Sequence, residues 1–310
     1  CTLLFLNLLY QNMVYFVLKV VEFFSKLQLF IIYRKLSYNF LIIFGYTCKK
    51  IKRVYMEFLE DITIIWIIIF IITGFIAGYI DSIAGGGGMI QVPVLLYSGI
   101  PPIFVLATNK MASLFGTLMA TIKYFLSKKI SLKVVSITII PCLLASYIGS
   151  ELVMYIPEYI IQWAILIAIP IALFFLLKKS KNMDEKSTKL SNKNIILATA
   201  PIGFYDGILG PGTGTYMTIS MKKFLHLDYI IATASTKPLN LATNVGSAIA
   251  FVMAGKVLWM IAIPMAIANM MGSYLGTHFA IKGGEKFIKK VLIFVLIFML
   301  TANIIKIILS

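Results

Sequence analysis

The chain has 310 residues, 60% of them hydrophobic and 13% charged, where a soluble domain is about half apolar and roughly a quarter charged. Mean hydropathy is +0.94, the composition of an integral membrane protein whose first partner is the lipid bilayer. Lys+Arg 28 against Asp+Glu 12 gives a net charge of +16, but the lysines cluster between apolar runs of about 20 residues, the pattern of cytoplasmic loops, which argues against nucleic acid as a partner. Cys1, Cys48, Cys142, His226 and His278 form neither a disulfide framework nor a metal-ligand spacing. No cofactor is implied.

Residues 1–55 stand apart from the rest. They hold both arginines, Arg34 and Arg53, six lysines and one acid, Glu22, whereas residues 56–310 carry 20 lysines and no arginine. The apolar stretches Leu3 to Leu18 and Leu27 to Phe44 are short or interrupted against the ~20 residues that a crossing needs. The expectation is an atypical extension outside the fold, with Met56 as the natural start. A genuine N-terminal anchor is the alternative.

From Ile62 onward the apolar runs fall into two sets, residues 56–177 and 195–310, separated by the polar linker at 178–194. In the first set a long run at Ile62 to Ile83 meets a glycine cluster. A run at Met89 to Leu96, too short to cross, follows it and ends before Gly99, Pro101 and Pro102. These read as a helix and a short returning helix. Three ordinary spans come next, near Phe104 to Leu126, Leu132 to Tyr155 and Ile160 to Leu177. The second set gives Ile195 to Leu209, a short piece at Tyr216 to Leu225, and spans near Tyr229 to Ala254, Val257 to Ile281 and Phe287 to Leu309.

Each set opens alike, with GYIDSIAGGGG at Gly78 to Gly88 and GFYDGILGPGTG at Gly203 to Gly214. Asp81 matches Asp206, Gly85 matches Gly210 and Gly87 matches Gly212 at an offset of 125; TNK at Thr108 matches STK at Ser235, and SYIGS at Ser146 matches SYLGT at Ser273, at an offset of 127. Four features in one order indicate a tandem duplication.

The linker's six lysines against Asp184 and Glu185 place it in the cytoplasm, since lysine-rich short loops resist translocation. Lys128, Lys129 and Lys133 lie two spans earlier and belong on the same side. Counting back, the chain enters from outside at Glu57, Glu60 and Asp61, and the second set starts inside. The two repeats are therefore expected to be inverted, as in many secondary transporters. Lys256 is then external, and Lys282, Lys286, Lys289 and Lys290 are internal.

The run Gly85, Gly86, Gly87, Gly88 and the run Gly210-Pro211-Gly212-Thr213-Gly214 break a helix, at about 1 kcal/mol per glycine and ~3 for proline. Broken backbone at membrane depth persists only where protein or a polar cavity satisfies it. A binding site is the favoured reading and close helix packing through small residues the alternative. Neither run continues into the Gly-Lys-Ser/Thr ending of a phosphate loop. Helices starting near Met89 and Thr215 would aim N-terminal N–H groups at the protein centre, where they favour anions.

Lys110, flanked by Thr108 and Asn109, and Lys237, flanked by Ser235 and Thr236, each fall inside an expected span. An ionised lysine in hydrocarbon costs ~3 kcal/mol or more and is usually paired or functional; snorkelling to an interface is the alternative. Asn240 and Asn244 share the helix face of Lys237, as Ser113 and Thr117 do in the first repeat. Asp81 and Asp206 each have a lysine in their own repeat. Three roles stay open for them: pairing with lysine, carrying protons, or capping a broken helix.

At these residues the chain resembles the sulfite exporter TauE/SafE family of anion permeases, most closely its YfcA-like members. GYIDSIAGGGGMIQVPVLL, ATNK after a Gly-Ile-Pro-Pro turn, and GFYDGILGPGTG followed by ATASTKPLNLATN carry the resemblance over about Ile67 to Leu309. It implies a multi-span transporter of small anions, in known members chiefly sulfur-containing oxyanions and organosulfonates.

The expected protein is thus an all-α polytopic transporter of two inverted helical repeats, with broken or re-entrant helices at the glycine runs. It would move a small anion by alternating access, and no enzymatic step is expected. The anion would sit among Gly85 to Gly88, Thr108, Asn109, Lys110, Gly210, Gly212, Gly214, Thr236, Lys237 and Asn240. A proton- or cation-coupled carrier built on Asp81 and Asp206 is the first alternative, and an intramembrane hydrolase using the same aspartates the second.

Overall fold

The computed structural model describes residues 64–161, 163, 164, 167 and 191–309. The N-terminal extension, most of the expected span at 160–177 and most of the lysine-rich linker lie outside the described residues. Within them the fold is helical, with no strand. The first unit is α1 (Ile64–Ala84), α2 (Gly88–Tyr97), α3 (Pro102–Leu126) and α4 (Leu132–Val153); the second is α5 (Asn192–Ile208), α6 (Thr213–Leu225), α7 (Tyr229–Met253) and α8 (Trp259–Leu309). The order of long, short, long and long helices repeats, as the duplicated motifs require. Gly284 leaves helical geometry within α8, which separates the two expected spans there.

Among the described residues, α1, α3, α4 and the Trp259–Gly284 part of α8 are long and apolar enough to cross a membrane. Helix α7 equals α3 in length, 25 residues, but Thr233, Ser235, Thr236, Lys237, Asn240, Thr243, Asn244 and Ser247 are all buried along it. Its polarity faces inward. The outward faces are aliphatic: Ile65, Ile68, Ile72 and Ile76 on α1, and Ile140, Leu144, Ile148 and Leu152 on α4, are exposed at helical spacing. An apolar rim around a polar interior is the arrangement that lipid permits.

The packing exchanges partners between units. Helix α1 lies along α8 and α5 along α4; α3 lies along α8 and α7 along α4. Glycines set the close approaches. A side chain on Gly78 would strike the Asn269 backbone, and one on Gly203 would crowd that of Cys142; Gly276 meets Tyr79 and Gly149 meets Phe204. The SY-G motifs are therefore crossing points at which one unit's first helix meets the other's fourth.

Two further bonds mirror each other. The Leu258 N–H donates to Thr108 Oγ1 at 3.1 Å, and the Ser131 N–H to Ser235 Oγ at 2.8 Å. The start of α3 thus meets the segment after α7, and the start of α7 meets the segment before α4, so α3 and α7 run antiparallel. Lys123 at the end of α3 donates to the Tyr274 carbonyl, whereas Lys256 lies over the Phe104 ring at the start of α3. Lys128, Lys129 and Lys133 consequently share one end of the bundle with the Lys282 end of α8, and Lys256 occupies the other.

Candidate functional site

Two hairpins meet at the centre. Helix α2 doubles back on α1, with the Tyr97 ring 6.3 Å from that of Trp66, and α6 doubles back on α5, with Ser220 Oγ donating to the Ala198 carbonyl at 2.6 Å. Their turns are the two glycine runs. Gly85 (φ +77) ends α1, and Gly210 and Gly212 (φ +85 and +86) connect α5 to α6; these left-handed conformations are costly for residues with a Cβ. The short helices start at Gly88 and Thr213, slightly ahead of the expected positions, because the glycine just before each already closes the first turn. Gly85 and Gly214 touch through backbone, with no room for a Cβ on either. Thr215 Oγ1 fastens the crossing by donating to the Ala84 carbonyl at 2.9 Å.

Each lysine enters the other unit's hairpin. Lys110 Nζ lies 2.5 Å from Asp206 Oδ1, with side chains 3% and 5% exposed, and Lys237 Nζ lies 3.9 Å from Asp81 Oδ2, at 1% and 14%. Of the three roles left open for the aspartates, pairing with lysine is the one the geometry displays, and the pairs cross between repeats. The reason is geometric. Asp81 and Asp206 stand in the last turn of α1 and α5, where a carboxylate adds to the negative end of the helix dipole. The antiparallel α3 and α7 bring a lysine from the opposite unit to each such end.

The two pairs are not equivalent. Lys237 donates to the Asp81 backbone carbonyl, which also accepts from the Gly85 N–H at 2.7 Å, so Lys237 caps the broken end of α1. The Asp81 carboxylate accepts from the Gly87 N–H at 3.1 Å. Lys110 instead reaches the carboxylate of Asp206, which also accepts from Thr213 Oγ1 at 2.6 Å.

A central cavity lies between the hairpins. It is lined by Asp81, Gly85 and Gly88 from the first hairpin, by Asp206, Gly210, Thr213 and Gly214 from the second, and by Asn109, Lys110, Ser113 and Thr117 of α3 with Asn240 and Asn244 of α7. Its volume is about 20 Å³, on the scale of a water or two. Asn109 Oδ1 and Asn240 Oδ1 are buried at its wall without a hydrogen-bond partner. Amide orientation is assigned by hydrogen bonding, so either Asn can turn an N–H₂ toward a ligand.

Of the sequence-derived residues, Asp81, Gly85, Gly88, Asn109, Lys110, Asp206, Gly210, Gly214 and Asn240 come together around the cavity; Gly86, Gly87, Thr108, Gly212, Thr236 and Lys237 are not on its wall. The hydroxyls have other employment. Thr108 accepts from Leu258, and Thr236 Oγ1 donates to the Ala232 carbonyl at 2.9 Å. Thr213 and Gln91 escaped the sequence reading. Gln91 is fully buried, with its Oε1 accepting from Ser113 Oγ at 3.1 Å; a glutamine within the apolar run Met89 to Leu96 was the signal available.

A multi-span helical bundle with a polar, charge-paired centre is the architecture of a membrane transporter. Comparison with known proteins narrows the class. The sulfite exporter TauE/SafE family matches residues 70–302, and the chain belongs to that family. It is 36% identical over 240 residues to a probable membrane transporter protein, ORF9, of Sinorhizobium sp, covering 76% of this chain and 92% of that protein. It is 31% identical over 245 residues to a probable membrane transporter protein of Haemophilus influenzae, covering 78% and 96%. The probable membrane transporter protein YfcA of Escherichia coli K12 is 31% identical over 222 residues, covering 71% and 82%. No solved structure matches the chain.

Proposed function

We propose that this transporter carries a small anion across the plasma membrane by alternating access, using two inverted repeats with re-entrant hairpins, and that the anion is a sulfur-containing oxyanion or organosulfonate. The observation that carries the reading is Lys110, buried in a cavity walled by both hairpin tips. A buried ammonium beside glycine backbone, hydroxyls and amides suits an oxyanion, which needs charge and several hydrogen-bond donors at once. The family description, sulfite exporter, supports the sulfur class. Inversion is supported by the antiparallel α3 and α7 and by the exchanged packing of the two units.

Uptake into proteoliposomes tests the substrate class. Labelled sulfite, methanesulfonate, sulfoacetate, sulfate and acetate are offered in parallel, and saturable uptake of at least one sulfur anion is expected. Uptake of none, or of acetate alone, refutes the reading. Orientation is tested with single cysteines and an impermeant thiol reagent on sealed cells. Sites beside Lys256 and Glu158 should label from outside, and one beside Lys186 should not; labelling at Lys186 would reverse the topology, and labelling beside Lys256 only from inside would remove the inversion.

A further inference from the structure

Lys237 is occupied by the end of α1, so an anion in the central cavity meets one cation there, Lys110, and that cation already holds Asp206 at 2.5 Å. An oxyanion that pairs with the Lys110 ammonium therefore has to take the place of the Asp206 carboxylate. The four charges at the hairpin tips, Lys110, Lys237, Asp81 and Asp206, sum to zero. Adding an anion while Asp206 stays ionised leaves an uncompensated buried negative charge, which is strongly unfavourable. Adding a proton to the displaced carboxylate restores neutrality.

We propose that Asp206 is a built-in surrogate for the transported anion and the proton-coupling group. The Asp206 carboxylate takes one proton from water as it leaves Lys110, the anion pairs with the ammonium, and the two are released together when the carboxylate returns. No charge moves across the membrane when a monoanion is carried, and this coupling rests on the anion-carrier reading above. Asp206 suits the role better than Asp81, whose lysine stands 3.9 Å from the carboxylate and is held by backbone. Besides Lys110 on α3, Asp206 is faced by Cys142 on α4 and Tyr205 on its own helix, with Tyr216 of α6 beside Tyr205; Asp81 on α1 shares the cavity wall and acts on the same Lys110. Thr213 supplies a hydroxyl that hydrogen-bonds either form of the acid.

The test uses the full chain in proteoliposomes, with methanesulfonate as a probe that stays monovalent and sulfite in parallel. With potential clamped by potassium and valinomycin, an inward proton gradient should concentrate methanesulfonate, or whichever probe is taken up, about tenfold per pH unit, the ratio fixed by one proton per anion. A potential of either sign without a pH gradient should leave methanesulfonate accumulation unchanged. Asp206→Asn should lose accumulation under the gradient. Accumulation that follows potential and ignores pH in the parent chain overturns the proposal even where the variant does not fold, as does proton-driven accumulation by Asp206→Asn. Uptake of no probe at all overturns the anion reading itself, and the coupling with it.

Discussion

Replacing Lys110 with methionine is expected to weaken anion binding by about 30-fold to several thousand-fold, corresponding to the loss of roughly 2 to 5 kcal/mol from one ionic contact in a desolvated site. Methionine keeps the length and apolar stem and removes the charge. The orphaned Asp206 can take a proton, so the protein should still reach the membrane and elute as a single species. Arginine should restore binding only in part, because its planar fork cannot occupy the space of a compact ammonium against Gly210. Lys237→Met makes the informative contrast. That ammonium caps α1 and lies outside the cavity wall, so its loss should lower thermal stability, by about 3 to 5 kcal/mol, more than it lowers affinity. Equal anion affinity in Lys110→Met and the parent would place the anion elsewhere. Lys237→Met losing affinity at unchanged stability would show that the two lysines share one role.

The sequence made the helices, their order and the duplicated tips legible, because glycine runs, isolated lysines and aspartates leave strong marks on an apolar background. Boundaries shifted where glycine supplies the first turn, as at Gly88 and Thr213. The charge pairing was not legible. Sequence alone leaves open whether either aspartate pairs with a lysine and with which one, and only the antiparallel packing of α3 against α7 sends Lys110 to Asp206. Thr108 and Thr236 illustrate a related limit: a hydroxyl beside a buried lysine looks like a ligand group, yet these two are held by backbone. The SY-G motifs recur for packing, since each glycine admits a neighbouring helix. Duplication in a sequence thus marks structural joints as readily as binding residues, and side-chain partners separate the two.

The crossing of the hairpin tips yields the largest expected loss of stability. Gly85 has φ +77, and an added Cβ would strike the Gly214 backbone and lie 2.7 Å from the Thr215 nitrogen. Backbone cannot rotate aside as a side chain can, so Gly85→Ala would have to part the tips, surrendering the Thr215 bond to Ala84 and the spacing of both ion pairs. Left-handed strain alone costs about 1 to 2 kcal/mol; with the collision, the total should exceed ~4 kcal/mol, in the range reserved for disrupted cores. Two other glycines separate strain from collision. Gly99 has φ +86 with nothing within 4 Å of an added Cβ, and a Cβ on Gly88 would sit 3.5 Å from Asn109 Nδ2 and Pro211 Cα without a left-handed φ. Thermal unfolding of the purified chain should rank Gly88→Ala near the parent, Gly99→Ala modestly lower and Gly85→Ala far lower, with little folded protein recovered. Gly88→Ala should fold yet transport poorly, because its methyl group enters a cavity of about 20 Å³. If Gly85→Ala unfolds no earlier than Gly99→Ala, the tips do not touch as described, and the cavity built between them loses its walls.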